Sequence, residues 1–339
     1  MKLVTVVLPF YNAELTIEQA VKSVLNQTYI NFELLLYDDG STDNSLRLLS
    51  QFNDERIRII KNSQNIGLIE VLNRSIEDAR GDYWARMDAD DVALPDRLSK
   101  QVDYLNQHAN CGICGTQMRI MGTEEIIHKP LYDSELRWWI FKSTPFSHPT
   151  VMIKRDLLLK TQLQFRKEAY VAEDYDMWWR LANHTQLGNL PEILLEYRIH
   201  PSQESSSKQS IQAAHFKVSQ EAFCASIGSP KSFQIDWINQ TLTHSSSATL
   251  KNIIKTCKWF NYLSRSAQAQ AFFSINCIQV KRQDSIISLC QRIQQFHPFY
   301  SVLLLKSSVR NALKARDMSI ISFLVKSLLF WKTRQTELK

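Results

Sequence analysis

The hydrophobic positions of the first ninety residues fall into short continuous runs, separated by stretches in which apolar residues recur three or four apart. Residues 2–8 (KLVTVVL) are β-branched and almost unbroken in hydrophobicity, the pattern of a parallel strand buried on both faces. Pro9 is expected to end that strand. Thr16 and Gln19 stand three apart, as in a capping box, before a helix through Val21, Val24 and Leu25. Residues 32–37 (FELLLY) predict a second strand and residues 44–52 a helix. Residues 57–60 predict a third strand. Gly67 then precedes an amphipathic helix through Leu68, Val71, Leu72 and Ile76. Residues 83–87 predict a fourth strand. The order β-α-β-α-β-α-β implies a parallel sheet with helices on both faces.

The next hundred residues are mixed. Helices are expected over 95–105 and 133–142, and strands over 112–121, 150–153 and 194–199. Another helix opens at Glu173-Asp174-Tyr175-Asp176 and ends near Ala182. Residues 201–210, rich in Ser and Gln, read as a linker, and the pattern beyond 211 is helical, interrupted at Ser245-Ser246-Ser247. Two regions follow: an α/β domain over 1–205 and a helical C-terminal region over 206–339.

Open parallel sheets bind ligands at the carboxyl ends of their strands. Three of the four ends here are polar: Pro9-Phe10-Tyr11-Asn12, Asp38-Asp39-Gly40-Ser41 and Asp88-Ala89-Asp90-Asp91. In the last, three carboxylates crowd into four residues and repel one another unless a cation compensates them. Hard oxygen ligands of this kind suit Mg²⁺ or Mn²⁺. The plainer alternative is a solvated acidic turn. Asp38 and Asp39 can accept hydrogen bonds from a base or ribose, or can simply form the turn and cap the next helix. Tyr11 can stack on a base or merely pack. Glu173 and Asp174 suit either the first turn of a helix, stabilised by its dipole, or general-base work.

Composition narrows these choices. The chain has eight glycines, no G-x-x-x-x-G-K-[ST] loop and no G-x-G-x-x-G fingerprint. A phosphate cradle of backbone amides is therefore not expected, and a bound diphosphate would need a metal. The formal net charge of +6 divides unevenly: residues 1–200 hold 22 Lys+Arg and 28 Asp+Glu (22 − 28 = −6), and residues 201–339 hold 18 and 6 (18 − 6 = +12). The basic C-terminal helices are expected to face something anionic, such as lipid headgroups or a phosphorylated partner, and no nucleic acid is expected at the acidic strand ends. Residues 318–331 (MSIISFLVKSLLFW) are too short to span a bilayer and read as a buried or interfacial helix. No signal peptide opens the sequence, and its six cysteines lack zinc-ligand spacing, Cys111-x-x-Cys114 having no second pair. Reduced cysteines and a cytoplasmic location are the expectation.

The ordered series Val4-Thr5-Val6-Val7-Leu8-Pro9-Phe10-Tyr11-Asn12, Asp38-Asp39-Gly40-Ser41-Thr42-Asp43, Asn65-Ile66-Gly67, Ala85-Arg86-Met87-Asp88-Ala89-Asp90-Asp91, His148-Pro149 and Glu173-Asp174-Tyr175-Asp176 resembles family 2 glycosyltransferases of the GT-A fold. The resemblance covers residues 1 to about 200. It implies a Rossmann-like, mostly parallel α/β sheet, to which a helical C-terminal extension is added. It also implies an inverting, metal-dependent transfer of sugar from a nucleotide-diphosphate sugar, a UDP-sugar being expected, to an acceptor hydroxyl. The setting would be cell-surface polysaccharide synthesis (lipopolysaccharide, capsule or O-antigen), on a saccharide or lipid-linked saccharide acceptor at the inner face of the cytoplasmic membrane.

By the same resemblance, Pro9, Tyr11, Asp39, Asn65 and Asp88 would bind the nucleotide sugar. Asp90 would lead metal binding with Asp88, with His200 a further candidate. Asp174 would be the general base. Asp38, Asp91, Glu173 and His148 are neighbours of these groups, His148 as a wall of the acceptor pocket. No Q-x-x-R-W follows the helix of Asp174, which disfavours a processive polymer synthase. The rival readings are a metal-dependent sugar nucleotidyltransferase, which would want a Gly- and Arg-rich loop after the first strand, and a non-catalytic nucleotide- or membrane-binding protein.

Overall fold

The structure is a computed structural model, and it describes residues 1–200, 203, 208–242 and 250–294. The chain divides into two compact units, Met1–Phe223 and Cys224–Lys339.

The first unit is built on a nine-stranded sheet in the order β3-β2-β1-β4-β8-β6-β9-β5, with β7 beside β6. Its strands are β1 (Val4–Phe10), β2 (Phe32–Asp38), β3 (Ile57–Lys61), β4 (Tyr83–Arg86), β5 (Val92–Ala93), β6 (Cys111–Ile120), β7 (Ile126–Ile127), β8 (Met152–Lys154) and β9 (Gln186–Tyr197). β3, β2, β1 and β4 run parallel. β8 is antiparallel to both β4 and β6, and β6 and β9 again pair in parallel. Among these, β1, β2, β3, β4, β6 and β9 share one direction.

β1, β2 and β4 are buried on both faces, which is why they read as nearly unbroken apolar runs, whereas the outer β3 is half-buried. On one face Val4, Val6 and Leu8 of β1 join Leu34 and Leu36 of β2 and Ala85 of β4. Helix α1 (Ile17–Leu25) covers that face with Ile17, Ala20, Val21 and Val24, spaced i, i+3, i+4, i+7. Each of the larger side chains contributes about 2 kcal/mol by leaving water. On the other face lie Val7, Leu35, Tyr37 and Trp84. There α3 (Leu68–Asp78) accepts a 3.0 Å hydrogen bond from Trp84 Nε1 at Ser75 Oγ, and the Tyr37 hydroxyl donates to Asp78. Between α1 and α3 lies the short α2 (Ser45–Leu49).

Three local expectations are corrected. Pro9 does not end β1, since it pairs in register with Tyr37 of β2. Its missing N–H faces the β4 side, where pairing stops at Val7 and Arg86, so no ladder bond is lost. Thr16 does precede α1, but its side chain makes no capping bond; Ala20 N–H donates instead to the Thr16 carbonyl. β9 begins well before residue 194, at Gln186. Gly188 and Pro191 look like breakers, yet the register against β6 shifts between Gly115 and Gln117, and this bulge takes up Pro191. Gly188 admits Tyr104, whose hydroxyl would lie 2.1 Å from any added Cβ.

The rest of this unit supplies α4 (Arg97–Gln107), α5 (Asp133–Trp139), α6 (Arg155–Thr161) and α7 (Glu173–Leu181), then α8 (Gln209–Ser226), which ends three residues into the second unit. Cys111 and Cys114 are free and buried in β6. The second unit contains α9 (Ile235–Leu242), α10 (Leu250–Leu263), α11 (Ala267–Phe272) and α12 (Ile275–Gln294). Its core gathers Ile238, Trp259, Phe260, Leu263, Phe273 and Ile278. Among the described residues no helix is long and apolar enough to cross a membrane. The interruption at Ser245-Ser246-Ser247, residues 318–331 and most of the expected linker lie outside the described residues.

Candidate active site

A cleft of about 930 Å³ opens at the carboxyl ends of β1, β2 and β4. Pro9, Tyr11, Asp39 and Asn65 line one part of it, and Asp88, Asp90 and His200 another. The structure thus brings together seven of the residues singled out from the sequence. Asp38, Asp91, His148, Glu173 and Asp174 are not part of the cleft lining.

The β2 end is fixed by its own carboxylates. Asp39 Oδ1 accepts from Ile66 N–H and Asn62 Nδ2, both at 2.9 Å, and Oδ2 accepts from Gly67 N–H at 2.9 Å. Asp39 therefore ties the loop before α3 to the sheet while Oδ2 keeps a lone pair for a ligand. Gly40 makes this possible: its φ is +79°, and a Cβ there would lie 2.6 Å from the Gln64 backbone. Asp38 is 2% exposed and accepts from Ser41 N–H at 2.9 Å, so it serves the turn. Tyr11, 49% exposed, offers a ring face at the cleft mouth.

The β4 end is electrostatically costly. One oxygen from each of Asp88, Asp90 and Asp91 lies within 4.8 Å of the others. Arg86 Nη2 meets Asp88 Oδ1 at 2.5 Å, and His200 Nε2 lies 2.9 Å from Asp90 Oδ2. Arg198 links the cluster to β9: its N–H donates to Asp91 Oδ1 at 2.9 Å and its Nε to the Asp90 carbonyl at 2.8 Å. Asp91 is 0% exposed, and its Oδ2 is buried without a hydrogen-bond partner. Burial, reinforced by the Asp88 charge, pushes the Asp91 carboxyl up to about 9. Burial also raises Asp88, against the pull of Arg86. Underneath, Arg97 is 1% exposed and donates to the Arg86 carbonyl at 2.6 Å; burial lowers its guanidinium to about 10.

An orphaned carboxylate oxygen beside two further carboxylates and an imidazole is a donor set that fits a divalent cation. Oxygen ligands with one nitrogen favour Mg²⁺ or Mn²⁺ over softer metals.

Asp174 stands in the first turn of α7, outside the lining of this cleft. Tyr170, four residues earlier, lines the cleft. Trp178, one helical turn later and on the same face as Asp174, meets His148 with ring centroids 5.7 Å apart. Burial first, and then the charge of Arg86, hold the His148 imidazole well below its ordinary range. Its Nε2 is buried without a partner. His148 thus packs on α7 as a neutral ring that feels the Arg86 charge.

Asp174 Oδ1 accepts from Tyr175 N–H at 2.6 Å, and Oδ2 accepts from the Thr144 hydroxyl at 3.3 Å. Burial raises the Asp174 carboxyl, opposed by the Tyr175 N–H and by Lys129. Glu173, 8% exposed, precedes it in the first turn. Arg86 lies inside a quoted motif and Arg198 two residues before His200, although the charge-compensating roles of both came only from the structure. Lys129 and Thr144 carry no sequence signal, because only the fold brings them to α7.

The mostly parallel sheet, with its polar strand ends opening on one cleft, is that of the GT-A fold. The profile described as Glycosyl transferase family 2 matches residues 5–161. An uncharacterized glycosyltransferase of Haemophilus influenzae is 36% identical over 221 residues, covering 60% of this chain and 68% of the relative. The Escherichia coli UDP-Glc:alpha-D-GlcNAc-diphosphoundecaprenol beta-1,3-glucosyltransferase WfgD is 30% identical, covering 61% and 81%. The E. coli O-antigen biosynthesis glycosyltransferase WbnJ is 32% identical, covering 59% and 81%. Staphylococcus aureus TarS 1-349 in complex with UDP-GlcNAc shares the fold, with a TM-score of 0.59, 18% identity and coverage of 87% of this chain and 92% of that one. The mannosyltransferase PcManGT of Pyrobaculum calidifontis, in complex with GDP-Man and Mn²⁺, shares it at a TM-score of 0.53 and 16% identity, covering 84% and 86%. The chain belongs to glycosyltransferase family 2.

Proposed function

We propose that the protein transfers a sugar from a UDP-sugar to an acceptor hydroxyl, with inversion, during assembly of a cell-surface polysaccharide. The observation that carries this reading is the cleft itself, a single cavity lined by Tyr11 and Asp39 together with Asp88, Asp90 and His200. That layout matches a nucleotide at one end and a diphosphate at the other. The relatives acting on O-antigen and undecaprenol-linked sugar support the acceptor class.

In this reading residues 1–205 perform the transfer. Tyr11, Pro9 and Asn65 seat the base and ribose, and Asp39 accepts a hydrogen bond from the base. Asp90 and Asp88, with Asp91 beside them and His200 on Asp90, would hold Mg²⁺ or Mn²⁺. Bound there, the cation would offset negative charge on the departing diphosphate. Asp174 accepts the proton of the acceptor hydroxyl as that oxygen bonds to the anomeric carbon. The bond from that carbon to the diphosphate breaks, and its electron pair leaves with the diphosphate. A single displacement inverts the configuration and needs no carboxylate nucleophile. The basic region 206–339, with 18 Lys+Arg and 5 Asp+Glu (18 − 5 = +13), rests against the anionic inner face of the membrane.

A screen of nucleotide sugars for Mn²⁺-dependent release of UDP tests the assignment. The expected result is turnover of one or more UDP-sugars, faster with lipid-linked saccharide added and abolished by chelator. Chelator-insensitive turnover, or nucleotide released only from a sugar 1-phosphate and a nucleoside triphosphate, overturns it.

A further inference from the structure

We propose that Lys129 is a positioning residue for Asp174, held by Gln117 and Thr144 so that it keeps the carboxylate ionised and ready to accept a proton. The inference rests on Asp174 being the general base. Lys129 follows β7 and is far from α7 in sequence. Three hydrogen bonds define its position. Its N–H donates to Gln117 Oε1 at 2.7 Å, and its carbonyl accepts from Gln117 Nε2 at 3.2 Å. Its Nζ donates to the Thr144 carbonyl at 3.0 Å. Gln117, in β6, is 2% exposed and also donates to the Leu190 carbonyl at 3.1 Å. A buried amide thus clamps both backbone groups of Lys129 to the sheet.

Thr144 is the second half of the device. Its carbonyl receives Lys129, while its hydroxyl is placed for the Phe146 carbonyl at 3.1 Å and for Asp174 Oδ2 at 3.3 Å. One residue therefore touches both the cation and the proposed base. Among the described residues, other cations on or against α7 have partners of their own: Arg166 and Arg180 pair with Asp176, and Arg137 pairs with Asp133 and donates to the Ala182 carbonyl. Of charged groups near Asp174, Lys129 faces it from the segment after β7, and Glu173 precedes it on α7. Glu173 would oppose ionisation, and Lys129 favours it. Burial lowers the Lys129 ammonium and raises the Asp174 carboxyl, and each charge opposes the change in the other. Burial and the nearby ammonium thus pull the Asp174 carboxyl in opposite directions.

The experiment follows the Asp174 carboxyl carbon by NMR in the full chain labelled with ¹³C-aspartate, with Asp174→Asn identifying the resonance. Wild type is compared with Lys129→Met, Lys129→Arg and Thr144→Val. Removing the cation should move the Asp174 titration to higher pH by about one unit. Arg should largely restore it, and Thr144→Val should give a smaller move in the same direction. In parallel, the acid limb of kcat/KM for UDP release from UDP-glucose or UDP-GlcNAc should move up in Lys129→Met. That predicts about a tenfold loss on the acid side and little change at the alkaline plateau, with donor affinity unchanged. A titration that does not move, or an equal loss at all pH values without rescue by Arg, overturns the role of Lys129. Full turnover in Asp174→Asn instead overturns the base assignment, whatever Lys129→Met does.

Discussion

The acidic clusters at the end of β4 and at the start of α7 are built on opposite terms. Asp88, Asp90 and Asp91 are crowded together, and the most buried of them keeps an oxygen with no donor. On α7, Asp174 and Asp176 are only two residues apart, so the helix turns them to different sides. Asp176 is saturated: Arg166 reaches both its oxygens at 2.6 and 2.8 Å, Arg180 Nε donates at 2.9 Å and Ser219 at 3.0 Å. Burial alone would raise its carboxyl, but these donors overcome burial and the net direction is down. Asp174 receives one backbone N–H and one long hydroxyl bond, and it goes up. A carboxylate filled with arginine is a strut. A crowded and under-donated cluster suits a cation, and an under-donated carboxylate suits the proton-accepting role proposed for Asp174.

The strongest way to break this comparison is to remove the charge nearest the expected cation. Asp90→Ala should lower metal-dependent turnover by about 10³-fold, or about 4 kcal/mol of transition-state stabilisation, because the charge-offsetting ion is lost. Steady-state rates over a Mn²⁺ titration read this directly. Activity within tenfold of wild type at low Mn²⁺ would mean that the crowded carboxylates are merely a turn.

The strut should fail in a different currency. Asp176→Ala leaves Arg180 poorly compensated inside the fold and should cost about 3 kcal/mol of stability. Its pH dependence has a definite sign. Because the folded carboxyl lies below its unfolded value, the contribution is present above about pH 4 and is lost as pH falls through the folded value. The stability gap between wild type and Asp176→Ala should therefore be full at pH 6 and close toward pH 3. Urea denaturation at both pH values checks this; a gap that persists in acid would assign the loss to packing rather than charge.

The contrast between the clusters also explains what could be read in the sequence. Parallel strands buried on both faces leave continuous apolar runs, so β1 to β4 and their polar ends were legible. Asp88, Asp90 and Asp91 were legible because crowding in sequence became crowding in space. Asp39 was legible as a position, while its anchoring of Ile66 and Gly67 was not. The early part of β9 was hidden because Gly188 and Pro191 are tolerated only through a bulge and a close-packed Tyr104. Asp174 and Asp176 looked alike, and what separates them comes from Arg166, Lys129 and Ser219, side chains whose meeting with α7 is purely tertiary.

Asp91 offers a subtler test, since nothing in the comparison requires it to touch the donor. The folded, metal-free protein keeps its proton until about pH 9, whereas an unfolded aspartate releases it near the ordinary 3.8. Its contribution to stability is therefore full below about pH 4 and is lost as pH rises toward 9, by at most about 1.4 kcal/mol per pH unit. Asp91→Asn should remove that slope. Metal-free denaturation midpoints from pH 5 to 8 should fall in wild type relative to the variant, and parallel curves would mean that Asp91 is ionised and compensated, like Asp176.

His200 sharpens the comparison at its smallest scale. Among the described residues it is the one imidazole lining the cleft, and it lies on Asp90 just past the end of β9. Whether it ligates the ion or orients Asp90, losing it should weaken Mn²⁺ affinity about tenfold. His200→Ala should therefore shift the Mn²⁺ concentration giving half-maximal rate, while saturating Mn²⁺ restores most of kcat and the acid limb set by Asp174 stays in place. A moved acid limb with unchanged Mn²⁺ affinity would assign His200 to the proton-accepting side of the site. The division of labour between the two clusters would then have to be redrawn, with the imidazole rather than the crowded carboxylates linking them.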